Sequence, residues 1–132
     1  MIQNQAENMR GFHVGLVDFA FEHEGSPFSR TAVNFRYMAP EQFNGQTSPA
    51  TDQYGLAAIV YELLTGRPPF HGNSEQIMRH MHTNMQTQPP GAINTAVSPA
   101  LNSVMLRALA KKPEDRFASV FEFASAFKEY CN

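Results

Sequence analysis

Between Tyr54 and Leu64 the chain reads YGLAAIVYELL, with Glu62 as its only charge. The run is bracketed by helix punctuation. Ser48 is a residue type that caps a helix start, and Pro49 suits the first helical position because its missing N–H would have no intrahelical partner there. Gly66 stops the run near Thr65, and Pro68 and Pro69 prevent its resumption. A helix that is apolar nearly all round has to be buried on nearly all sides. The rest of the chain must therefore wrap around it, which requires a bundle with this helix at its centre.

The flanking sequence supplies further helices. Asn73 followed by Gln76 resembles a capping box and predicts a helix to about Asn84. Ser98-Pro99 repeats the start seen at Ser48-Pro49 and predicts a helix to about Ala110. Ser119 with Glu122 opens a last helix, in which Phe121, Phe123, Ala124 and Phe127 form an apolar stripe near helical period. Met78, Met81, Met85 and Met105 are expected in cores or seams, where the flexible thioether fills irregular gaps. Phe12–Asp18, FHVGLVD, is β-rich and reads as one short strand. Phe19 to Asn34 is irregular, with Gly25, Ser26 and Pro27 as breakers, and Tyr37–Phe43 holds a short helical turn after Pro40. Residues 1–11 read as a loose lead-in. The expected class is mainly α, with a short β segment at the front of a single unit spanning 12–132.

Charge excludes some partners. The net charge is −2 and no run of Lys or Arg stands out, so nothing builds an electrostatic footprint for nucleic acid or an anionic membrane. No apolar stretch reaches the roughly 20 residues that span a bilayer, and the first 20 residues lack the pattern of a signal peptide. The single cysteine, Cys131, cannot form an internal disulfide, which fits a reducing, cytoplasmic setting. His80 and His82, with His71 nearby, do not make a metal site, because residues two apart on a helix face different sides. They read as part of a surface helix.

Several motifs occur in order: VDFAFEHEG, RYMAPEQ, TDQYGLAAIVYELLTGRPPF and KKPEDRF. Together, over about residues 12–130, they resemble the C-terminal lobe of a Hanks-type serine/threonine protein kinase of the bacterial kind. The resemblance implies specific roles. Asp18, in Asp18-Phe19-Ala20, stands where the family's aspartate holds the Mg²⁺ that bridges the nucleotide phosphates; Mg²⁺ prefers such oxygen ligands. Ala20 replaces the glycine that lets this segment flip. Ala39-Pro40-Glu41 matches the motif that closes the activation segment. Between the two motifs, Ser26, Ser29 and Thr31 are candidate phosphorylation sites, with Arg30 and Arg36 as partners for the added charge. Val33-Asn34-Phe35 replaces the family's Gly-Thr-Pro step and lacks its threonine. Glu41 and Arg116 correspond to a buried structural ion pair, and Asp52 to the aspartate that anchors the central helix to the catalytic loop.

The 132 residues contain no glycine-rich phosphate loop, no Val-Ala-Ile-Lys-type strand and no His-Arg-Asp catalytic loop; Glu7-Asn8 only superficially matches that loop's end. Phosphoryl transfer by a kinase is positioning plus charge stabilisation by a lysine, two metals and a base. The resemblance therefore implies a fragment of a kinase domain, expected to be inactive alone, from a parent that transfers the γ-phosphoryl of ATP to protein Ser or Thr. Mg and ATP are the parent family's cofactors, and none is expected on this chain alone. The alternative is a degenerate pseudokinase-like interaction module or a gene remnant, which Ala20 and the altered Val33–Phe35 stretch favour. Without the helix that precedes the catalytic loop, the central helix is expected to find cover by self-association or from the missing kinase segment.

Overall fold

The computed structural model describes residues 32–131. The predicted strand at Phe12–Asp18 lies outside them, as do Glu7-Asn8, Asp18, Ala20, Ser26, Ser29, Arg30 and Thr31. The described residues form four α-helices and several 3₁₀ turns, with no strand among them. The helices are α1 (Pro49–Thr65), α2 (Glu75–Asn84), α3 (Pro99–Ala108) and α4 (Val120–Tyr130). Ahead of them, 3₁₀ turns cover Ala32–Tyr37 and Pro40–Asn44.

α1 is the central helix. Ten of its seventeen residues are buried, including Tyr54, Leu56, Ala57, Ala58, Val60, Tyr61 and Leu64. It packs against the Ala32–Tyr37 turn, α3, α4 and the short turns at Pro90–Ala92 and Pro113–Asp115. Most of its cover therefore comes from within the chain, and on its last turns Leu63, 46% exposed, is the large apolar side chain left open. Gly66 ends it at φ 84°, a left-handed conformation that costs an L side chain about 1–2 kcal/mol. The Gly66 N–H donates to the Glu62 carbonyl at 2.7 Å.

The helix starts follow the sequence expectation except at α2. At α1, Ser48 is the cap as expected, within a reciprocal capping box with Thr51. Thr51 reaches back, its Oγ1 accepting the Ser48 N–H at 3.1 Å. α2 begins one residue later than expected, with Ser74 rather than Asn73 as its cap; Ser74 Oγ accepts the Ile77 N–H at 3.2 Å. Ser98 and Ser119 cap as expected, accepting the N–H groups of Leu101 and Glu122, each at 3.1 Å. α3 ends at Ala108 rather than Ala110, because the Ala110 N–H closes a tight turn onto the Arg107 carbonyl at 3.1 Å.

Two apolar clusters result. The larger joins α1, α3 and α4 through Tyr54, Ala58, Tyr61, Leu101, Met105, Phe123 and Phe127. The smaller gathers Met38, Phe43, Phe70 and Met78, with Phe35 and Met81 at its margin, and seats α2 on the two 3₁₀ turns. Phe121 is 63% exposed and does not join the α4 stripe, since residues 121 and 123 point to different sides. Met85, just past α2, is 42% exposed rather than packed, whereas Met78 and Met105 are buried. His82 is the largest departure: it is fully buried, not on the surface.

Candidate functional site: a buried arginine hub and its surroundings

Arg116 lies in the loop before α4, just past the turn at Pro113–Asp115, and its side chain is inaccessible to solvent. A guanidinium carries five N–H donors and no acceptor, and each of the five is used. Nη1 donates to Glu41 Oε2 at 2.8 Å and to the Ala50 carbonyl at 2.9 Å. Nη2 donates to Glu41 Oε1 at 3.0 Å and to the Lys111 carbonyl at 3.3 Å. Nε donates to the Ala110 carbonyl at 2.9 Å. The guanidinium also lies over the Tyr54 ring, 4.9 Å from its centroid. The contact with Glu41 is thus bidentate, the strongest arrangement for this pair.

Glu41 is delivered by the Pro40–Asn44 turn, which Pro40 favours at its first position and Gly45 closes at φ 81°. The Thr51 hydroxyl donates to Glu41 Oε2 at 2.7 Å. Burial works against the carboxylate's charge, but the Arg116 and Thr51 hydrogen bonds outweigh it and hold the carboxyl below its ordinary value. The turn, the first turn of α1 and the loop before α4 therefore meet at one buried ion pair. The sequence expectation for Glu41 and Arg116 corresponds to this geometry.

Two further polar side chains that tie α1 to the rest of the chain carry no obvious sequence signal. Gln53 is fully buried and pairs with the backbone of Phe117, its Nε2 donating to the carbonyl at 2.8 Å and its Oε1 accepting the N–H at 3.0 Å. Tyr37 donates to Glu62 Oε1 at 2.7 Å and ties the Ala32–Tyr37 turn to the far end of α1. The only sequence hint was the presence of polar groups in an otherwise apolar helix, since buried polar groups need partners. Asp52 sits in the first turn of α1 and is exposed. Asp18 and the hydroxyls Ser26, Ser29 and Thr31 lie outside the described residues.

Beside the hub, Lys111 crosses to the end of α2. Its Nζ donates to the carbonyls of His82 at 2.8 Å and Met81 at 3.4 Å, and lies 4.6 Å from the Phe70 ring centroid. Burial and the nearby Arg116 lower its pKa to about 8. On the other side of α2, Phe35, Arg36, Gly72, Ser74 and Met78 line a cleft of about 240 Å³. A side chain at Gly72 would meet Ile77 Cγ2 at 2.6 Å, so the glycine permits the loop's close approach to α2. Among the described residues no group of His, Cys, Asp and Glu could hold a metal ion, and no helix is long and apolar enough to cross a membrane.

Comparison with known proteins gives a consistent result. The family model for the protein kinase domain matches residues 1–128. The serine/threonine-protein kinase PknB of Mycolicibacterium smegmatis is 36% identical over 117 residues, covering 83% of this chain and 19% of that protein. The serine/threonine-protein kinase Pkn1 of Myxococcus xanthus is 46% identical over 93 residues, covering 70% of this chain and 13% of that protein. The crystal structure of the PknI kinase domain of Mycobacterium tuberculosis matches with a TM-score of 0.55 at 35% identity, covering 71% of this chain and 34% of that one. The chain thus spans a fifth or less of the length of these curated relatives.

Proposed function

The chain belongs to the protein kinase domain family, and from that premise we propose that it forms the C-terminal half of a serine/threonine kinase domain, silent in phosphoryl transfer when alone. The observation that carries this reading is the bidentate Glu41–Arg116 pair. It joins Ala39-Pro40-Glu41 to the helical body, which supports reading this stretch as the end of an activation segment. What supports the silence is the chemistry the 132 residues lack. With no phosphate-loop glycines, lysine strand or His-Arg-Asp base in the sequence, there is little to clamp the γ-phosphoryl or orient a hydroxyl. In the parent reaction, ATP would give its γ-phosphoryl to a protein Ser or Thr, and Asp18 would hold Mg²⁺. Arg36, at the edge of the cleft, is available to pair with phosphate on Ser26, Ser29 or Thr31. The proposed setting is cytoplasmic. The remaining cover for Ile59 and Leu63 of α1 would come from the rest of the kinase domain or from a second copy.

Incubation of the chain with Mg·ATP carrying a labelled γ-phosphate and a Ser/Thr-rich protein tests the reading. No label should pass to the protein or to the chain itself. Transfer that is lost in Asp18→Asn would overturn it.

A further inference from the structure

The smaller core contains a group that the kinase reading does not use. His82, in the last turn of α2, is fully buried between the two apolar clusters. Three aromatic rings surround it: Phe43 at 6.0 Å, Tyr54 at 5.6 Å and Phe70 at 5.1 Å between centroids. Its Nδ1 lies 2.7 Å from the Tyr54 hydroxyl, and its Nε2 is buried with no hydrogen-bond partner. In the tautomer where the hydroxyl donates to Nδ1, the single proton of the neutral imidazole sits on Nε2.

The charges around this ring are arranged against a second proton. Lys111, from the loop after α3, places its ammonium on the His82 carbonyl. Arg116 lies over the Tyr54 ring, and Glu41, from the Pro40–Asn44 turn, is bound to Arg116. On α2 itself, Arg79 lies 5.9 Å from the Phe43 ring centroid and donates to the Phe43 carbonyl, and His80 is exposed next to Asn84. From the Ala32–Tyr37 turn, the Phe35 backbone favours the charged form, and Arg36 lines the cleft beside Met78. Burial and Lys111 prevail and lower the pKa of His82 to about 3.

We propose that neutral His82 is an acid-sensitive latch that seats α2 on the Ala32–Tyr37 and Pro40–Asn44 turns, and that mild acid releases α2 while the larger core stays folded. The latch does not depend on the catalytic reading above. The location supports local release. α2 packs on those two turns, and the larger cluster includes no α2 residue. A group whose pKa is depressed by folding gives stability that is complete above its ordinary value, near 6.5, and is lost as pH falls below it.

Hydrogen exchange of the full chain, corrected for the intrinsic pH dependence, measures this directly. From about pH 7.5 to about pH 5, protection of amides in α2 and residues 35–43 should fall by roughly 30-fold, the proton uptake of one histidine freed to its ordinary pKa. Amides of α3 and α4, which open only with the whole chain, should stay more protected than those of α2 at both pH values, and His82→Gln should reduce the loss in α2 to less than about threefold. A flat response in α2, protection in α3 and α4 no higher than in α2, or an undiminished loss in His82→Gln would overturn the proposal. Should His82→Gln fail to fold, ¹⁵N NMR of the unaltered chain decides. A neutral Nε2–H imidazole persisting to about pH 5 upholds the latch, and titration near the ordinary value of about 6.5 overturns it.

Discussion

Arg116 makes bonds to three separate parts of the chain, and its loss is felt in each of them. Replacing it with alanine leaves the half-buried Glu41 carboxylate without its ion and frees the carbonyls of Ala50, Ala110 and Lys111. Breaking one side of a buried pair costs about 3–5 kcal/mol. That is a large share of the roughly 5–15 kcal/mol that stabilises a typical domain, so Arg116→Ala should yield little or no soluble folded protein. Glu41→Ala leaves the fully buried guanidinium without its counter-ion and should also cost about 3–5 kcal/mol in urea unfolding. An Arg116→Ala variant that melts like the parent would refute the role given to the hub. Glu41 also sets an acid limit. Because folding lowers its pKa, its contribution is complete above the ordinary value near 4.5 and disappears as pH falls below it. Acid unfolding of Glu41→Gln should be less steep in that range than that of the parent.

At the scale of elements, termini matter more than interiors. Ser98 and Ser119 each satisfy one N–H at a helix start, and Ser98→Ala should lower stability by about 1 kcal/mol in thermal or urea unfolding. Gly66→Ala should cost about 1–2 kcal/mol; no atom lies within 4 Å of an added Cβ, so the cost is that of the left-handed backbone alone. A neutral result would show that α1 ends differently in solution. These punctuation marks are also what made the fold legible in the sequence. Pro49, Gly66, Ser98 and Ser119 mark boundaries that the structure keeps, whereas the cap of α2 and the end of α3 lie one and two residues from the expected positions. Asn73 and Ser74 both accept N–H bonds, and nothing local separates them as caps. His82, Gln53 and Phe121 were not legible, because their burial depends on which helix face meets which neighbour. The Glu41–Arg116 pair spans 75 residues, and no spacing rule predicts it; only the resemblance did.

At the scale of the whole molecule, α1 sets the architecture. Its apolar surface is covered by the turn at Ala32–Tyr37 on one side and by α3 and α4 on the other, which leaves the Glu41–Arg116 hub at its first turn. The kinase family places nucleotide chemistry ahead of this region, and the present sequence holds only Asp18 from that set. On the proposed reading, a chain whose sequence lacks the phosphate-loop glycines and the lysine strand should bind nucleotide poorly, whatever its oligomeric state. The most direct measurement is a calorimetric titration of the 132-residue chain with Mg·ATP, with its mass followed by light scattering in the same samples. The account expects no saturable heat up to about millimolar nucleotide and a mass that Mg·ATP does not alter. Stoichiometric binding at about micromolar affinity would contradict it, and would mean that the 132 residues hold a nucleotide site of their own.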